Sequence, residues 1–128
     1  MSTSEPVQKH RTLVFDNINV NYGHGYNNNT GVFNAPKSGV YILTFSIHSS
    51  STSYTSADII VNNVSVGRGF TDSSEATWDL NSATIIAVAW MNQGDVSFVR
   101  TSPDYASLGT LYSGYMARSS FAGWKITN

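Results

Sequence analysis

The chain has 128 residues, of which 12% are charged, with a formal net charge of -1 and no cysteine. That length suits one domain around one core, and the near-neutral charge, with seven scattered Lys and Arg residues, argues against nucleic acid or anionic lipid as a partner. Without cysteine there is no disulfide, no thiolate-held zinc and no thiol catalysis.

The opening "MSTSEPVQKH" is polar and lacks the apolar run of a secretory leader. From there onward short apolar runs alternate with turn residues, and the pattern predicts strands over Thr12–Phe15, Ile18–Asn21, Gly31–Asn34, Val40–His48 and Ala57–Asn62. Five more follow over Ser65–Phe70, Ser82–Met91, Asp95–Thr101, Leu111–Met116 and Ser120–Thr127. Gly-His-Gly, Asn-Asn-Asn, Pro-Lys-Ser-Gly, Asn-Asn and Asn-Gln-Gly-Asp separate them, supplying the positive φ angles and Asx turns that reverse an extended chain. Apolar residues nowhere keep helical spacing for three turns, so the fold class is all-β. No segment approaches the roughly 20 apolar residues of a membrane-spanning helix, and no membrane insertion is expected.

Alternation assigns faces. In "GVYILTFSIHS" Tyr41, Leu43, Phe45 and Ile47 share one side, which belongs in a core. In "SATIIAVAWMN" both sides are apolar: Ile86, Val88 and Trp90 on one, Ile85, Ala87, Ala89 and Met91 on the other. A strand in a simple sandwich shows water one face. A covering loop or a second subunit would explain the departure, and the subunit is favoured.

Four motifs in order carry a resemblance. "LVFDNINVN" and "YNNNTGVFNAPKSGVYILTFSI" contain Phe15-Asp16, Tyr26-Asn27, Thr30-Gly31, Phe33, Pro36, Gly39, Tyr41 and Phe45. "IIVNNVSV" follows, then "MNQGDVSFV" with Gly94-Asp95, and the ending "SSFAGWKI" with Phe121, Gly123 and Trp124. Over Leu13 to Ile126 this resembles the globular head domain of complement C1q. The resemblance implies a ten-stranded jelly-roll β-sandwich related to tumour necrosis factor, assembled as a homotrimer. It also implies that residues 1–10 are a polar segment or a residual first strand before a domain over 11–128, because the family's opening Val-Ala-Phe strand has only Pro6-Val7-Gln8 to match it. The motif residues read as scaffold: glycines for backbone geometry or close packing, Pro36 for a turn, and Phe33, Tyr41, Phe45 and Phe121 for the core. Asp95 reads as a turn cap.

Catalysis finds no support: there is no Gly-x-Ser-x-Gly elbow, and His10, His24 and His48 lack partners at catalytic or metal-binding spacing. The chain is read as a non-enzyme that needs no cofactor. Calcium, which several members of the resembled family hold, has Asp58, Asp72, Asp79 and Asp104 as weak candidates, without the spacing that would concentrate them. The loops carry the better binding chemistry. Tyr54 and Arg68 in one region, and Asp104, Tyr105, Tyr112, Tyr115 and Arg118 in another, offer rings to stack on sugars and forked groups for hydroxyls or a sialic-acid carboxylate. The expected function is therefore a secreted, trimeric pattern-recognition lectin of innate immunity, binding glycans or microbial surface molecules. A receptor-binding ligand and a trimerising matrix head are the rivals. Abundant Ser, Thr and Asn, with the glycosylation triplets Asn28-Asn29-Thr30 and Asn63-Val64-Ser65, favour an extracellular address.

Overall fold

A computed structural model describes residues 1, 4–6, 11–16, 21, 25–73, 80–102, 109–114 and 118–126. Among them are ten strands and no helix: β1 (Glu5–Pro6), β2 (Tyr26–Asn27), β3 (Val32–Asn34), β4 (Gly39–Ser49), β5 (Tyr54–Val61), β6 (Val64–Asp72), β7 (Asn81–Met91), β8 (Val96–Thr101), β9 (Thr110–Tyr112) and β10 (Ser120–Lys125). They form two five-stranded antiparallel sheets. The first runs β1-β9-β4-β10 with β7 on the other side of β4, and the second runs β2-β3-β8-β5-β6.

Period-two hydrophobicity places the core. Along β4 every odd residue from Gly39 to Ser49 is buried and every even one half-buried, as the alternation requires. Tyr41, Leu43, Phe45 and Ile47 meet Ala57, Ile59 and Val99 from the opposite sheet, with Leu13, Met91 and Leu111 filling the rest. Each such side chain contributes about 1.5–3 kcal/mol on burial. Phe121 of β10 closes one flank by stacking on Phe15 at 5.9 Å between ring centroids and lying 5.7 Å from Tyr26.

Several boundaries differ from the sequence reading. Thr12–Phe15 is not a strand. Thr12 bridges Arg100 and the Leu13 N–H donates to Val99 O, after which the chain carries Phe15 to Phe121 of the other sheet and ladder pairing ends. Asn21, the described end of the expected Ile18–Asn21 strand, is likewise not extended ladder: its side-chain amide brackets Tyr26, donating to Tyr26 O and accepting from Tyr26 N. The strand of that region is instead the short β2, paired to β3. β5 begins three residues earlier than hydropathy marks it, since Tyr54, Thr55 and Ser56 find ladder partners in Asp72, Thr71 and Phe70. The described part of the expected Leu111–Met116 strand ends at Tyr112.

Two close fits hold the sheets in position. Gly31 has φ 79°, and a side chain there would lie 2.6 Å from Leu13 O, so the corner after the three asparagines admits only glycine without strain. At the rim where β6 lies over β7, a Cβ on Gly69 would stand 2.5 Å from Ile85 Cγ1; the missing side chain leaves the notch that Ile85 fills.

Strand β5, set between β8 and β6 in the second sheet, is buried on both sides. Ala57, Ile59 and Val61 enter the core, while Ser56, Asp58 and Ile60 face outward yet stay covered. Asp58, 1% exposed, pairs in register with Arg68 on β6 and Arg100 on β8. Arg68 clamps it in two bonds, Nε to Oδ1 at 2.6 Å and Nη2 to Oδ2 at 2.9 Å.

Candidate functional site

The serine-rich stretch 48–57 is the natural starting point, because such loops on a rigid sheet commonly carry binding groups. Here the hydroxyls turn inward. Ser49 Oγ shares hydrogen bonds with Thr71 Oγ1 at 3.0 Å and with Ser73 Oγ at 2.8 Å, and Asn81 N donates to Ser73 Oγ at 3.1 Å. The Thr110 N–H donates to Ser53 Oγ at 2.8 Å, and the Ser73 N–H donates to Ser53 O at 2.8 Å. A buried polar atom is costly unless paired, and this lattice pairs the hydroxyls of Ser49, Ser53, Thr71 and Ser73 by tying the ends of β4, β5, β6, β7 and β9 together, whereas the buried Ser56 Oγ has no hydrogen-bond partner. The small hydroxyl residues are thus a buried clasp at one end of the sandwich.

What that clasp presents at the surface is a set of larger groups. Tyr54 opens β5 opposite Asp72. Tyr112 lies on β9 directly opposite His48 of β4. Arg118 joins them, since its carbonyl lies 3.1 Å from His48 Nε2 while the His48 N–H reaches Ser119 Oγ at 3.3 Å. Ser119 Oγ in turn donates to Tyr112 O at 2.9 Å. Tyr112, His48 and the Arg118 backbone therefore meet at one end of the first sheet, with Arg118 exposed and Tyr112 and His48 half-buried, while the half-buried Tyr54 opens β5 of the other sheet. They can stack on a ring, share hydrogen bonds with hydroxyls and attract an anion.

The other expected residues divide. Arg68 lies away from this end, in the middle of β6, with its fork spent on Asp58. Asp58, a calcium candidate by sequence, is correspondingly enclosed in that ion pair. Asp72 is exposed and offers its carbonyl to Asn81 Nδ2 at 2.6 Å. Asp79, Asp104, Tyr105, Tyr115, His10 and His24 lie outside the described residues. Among the described residues no three His, Cys, Asp or Glu side chains stand close enough to hold a metal ion. The scaffold residues take their expected places: Gly94 turns at φ 88° while Asp95 Oδ2 accepts the Asn92 N–H, and Tyr26 accepts the Phe15 N–H on its phenol oxygen. Burial holds the Tyr26 phenol above its ordinary 10.0, opposed by that hydrogen bond and aided by the nearby Asp16 charge.

A second surface is more conspicuous than any loop. On the outward side of the first sheet, Ile86 is 67% exposed, Val88 63%, Trp90 60% and Trp124 49%. The register makes them contiguous: Val88 and Trp124 flank Ile42 on either side, and Trp90 lies beside Val40. The two-sided apolar pattern of residues 82–91 signalled this face in the sequence, whereas Trp124 gave no sign there beyond its scaffold motif. Nothing among the described residues covers the face.

Comparison with known proteins gives the frame. The sequence profile of the C1q domain matches residues 1–126. No curated protein matches the chain in sequence. In structure it is similar to the globular domain of the zebrafish complement 1qA protein, at 15% identity, TM-score 0.76, with 98% of this chain and 91% of that one covered. It is also similar to Eiger TNF from S. frugiperda, at 18% identity, TM-score 0.62, covering 80% of this chain and 68% of that one. At such identities the shared property is the fold.

Proposed function

This chain belongs to the C1q domain family, and from that premise we propose that it is a secreted, non-enzymatic homotrimer that recognises glycans or microbial surface molecules multivalently. The family is typically non-enzymatic, extracellular and ligand-binding, which is the starting point of this reading. The observation that carries the assembly is the uncovered stripe of Ile86, Val88, Trp90 and Trp124. A patch of that kind on a soluble sandwich is an association surface.

Assembly gives weak sites a use. Tyr54, Tyr112, His48 and Arg118 have the chemistry for a hydroxyl-rich ring bearing an anionic group, and three copies raise the overall affinity through effective concentration. Loop residues Asp104, Tyr105 and Tyr115 belong to the same proposal by their chemistry. No cofactor enters the reading, so a calcium chelator is expected to leave both fold and binding unchanged.

A glycan array, with titrations of lipopolysaccharide, sialic acid and simple hexoses, tests it. Binding that falls at least tenfold in Tyr112→Ala and Arg118→Ala supports the site. A verified trimer that binds no sugar overturns the lectin reading and leaves the receptor-ligand rival. That rival draws on Val64 and Phe70 of β6, 61% and 53% exposed, which offer a protein partner an apolar edge.

A further inference from the structure

The β5–β6 hairpin reverses in two residues, Asn62 and Asn63, at φ 48° and 68°. Both are left-handed positions, where asparagine is tolerated better than other side chains, and they make the tight turn that right-twisted strands require. The two amides then separate in role. Asn62 anchors the turn to β8: its N–H donates to Val96 O at 3.1 Å and its Oδ1 accepts the Val96 N–H at 3.3 Å. The Asn63 side chain makes no hydrogen bond to any described residue. It stands exposed at the tip, followed by Val64 and Ser65, also exposed. The free amide is thus the first residue of an Asn-x-Ser triplet.

The other such triplet differs. Asn28 lies in a turn closed by Gly31 N to Asn27 O at 2.9 Å, and its own Nδ2 donates to Asp16 O at 3.2 Å. The Thr30 hydroxyl is occupied too, accepting the Val32 N–H at 3.4 Å. A substituent on Asn28 Nδ2 must be accommodated against the Asp16 segment; one on Asn63 displaces no hydrogen bond among the described residues and starts from an exposed tip.

We propose that Asn63 is the N-glycosylation site of this protein, in preference to Asn28. The donor is a lipid-linked oligosaccharyl pyrophosphate. The Asn63 amide nitrogen bonds to the anomeric carbon of the first sugar as the carbon–oxygen bond to the pyrophosphate breaks. The lipid pyrophosphate leaves with the electron pair, and one amide proton passes to a base of the transferase. The inference rests on the extracellular reading above, through passage along a secretory route.

Position gives the modification a role. Asn63 follows the end of β5, and Tyr54 begins that strand, so the eight residues between separate the glycan from the Tyr112–Arg118 end by about 25 Å. Gln93 N donates to Ser38 Oγ at 2.8 Å at the glycan's end of the sandwich, which gathers the tips of Lys37–Ser38 and Gln93–Gly94 beside it. A hydrated oligosaccharide there keeps that end in solvent and leaves the opposite end open to ligand. It also stands beside the exposed apolar side of edge strand β6.

The test is secretion of the full chain, behind a cleavable leader, from a eukaryotic host, followed by peptide-N-glycosidase treatment. One gel shift is expected. It should be lost in Asn63→Gln and equally in Ser65→Ala, which removes the triplet without touching the left-handed turn, and kept in Asn28→Gln. A secreted chain with no shift, or occupancy at Asn28 equal to or above that at Asn63, overturns the proposal. Because sugar binding is measured separately on unmodified protein, either result leaves the lectin reading to its own test.

Discussion

Replacing Val88 by Asp should reduce the proposed assembly to single chains. Val88 is 63% exposed in the isolated sandwich and Ile86 67%, so burying the remainder of each contributes about 1–2 kcal/mol, scaled from about 1.5–3 kcal/mol for a complete aliphatic side chain. Trp90 and Trp124, 60% and 49% exposed, have about 150–250 Å² to bury in full, so their exposed parts add about 2–4 kcal/mol each at about 25 cal/mol per Å². Together these make about 6–12 kcal/mol per copy, comparable with the about 4–15 kcal/mol that association costs in lost freedom and ordering. Burial of this stripe therefore roughly offsets that cost, and the loss of any one member should tip the balance against association. The Val88→Asp variant loses its own share and must desolvate a carboxylate, at several kcal/mol. A total above about 4 kcal/mol weakens each contact about 1,000-fold. Light scattering coupled to size exclusion reads the mass, and far-ultraviolet circular dichroism should stay unchanged, because the side chain touches water in the single sandwich. Wild-type protein migrating as one chain at micromolar concentration would refute the reasoning, as would a variant that keeps the assembled mass.

Three further outcomes follow from the interior. Gly69→Val drives a branched side chain into Ile85 and should lower stability by about 1–3 kcal/mol, readable as a reduced urea midpoint with unchanged slope; a neutral result would mean the rim opens freely. Asp58→Asn weakens the two charge-assisted hydrogen bonds from the partly exposed Arg68 and should cost about 1.5–3 kcal/mol, whereas the double change Asp58→Leu with Arg68→Met should recover most of that in the same denaturation assay. For Tyr26, burial favours the neutral phenol, so its folded value lies above the unfolded 10.0. Its contribution is then complete below 10.0 and is lost as pH rises through the folded value. Stability measured at alkaline pH should fall less steeply in Tyr26→Phe than in the wild type, and equal slopes would count against a buried phenol.

Strand β4 was legible because its period-two pattern is dictated by one buried face, and β7 because an apolar second face has no reason to exist in an isolated sandwich. Thr12–Phe15 misled for an instructive reason. Leu13 and Phe15 alternate inward as strand residues do, but burial is achieved by crossing between sheets, and hydropathy records the burial without the ladder. The candidate site was half readable. Tyr112 and Arg118 are near in sequence, while His48 joins them only through the β4–β9 pairing, which no local signal encodes. Arg68 looked like a free loop cation because its partner is set by register: Asp58 faces it only with the irregularity between Ile59 and Ile60 placed as it is. The serine-rich stretch announced polarity correctly and direction not at all, since inward hydroxyls need hydrogen-bond partners supplied by the ends of β6 and β9.

The buried Asp58 also bears on how the chain finds its fold. Pairing β5 with its neighbours one residue out of step would swing Asp58 to the side now held by Ala57 and Ile59, placing a carboxylate in an apolar interior with no guanidinium to meet it. Most of the strand's residues are small or aliphatic and would tolerate such a slip; this one does not. A single acidic side chain thereby acts as a proofreader for an eight-residue strand, making a one-residue slip far costlier than the true pairing.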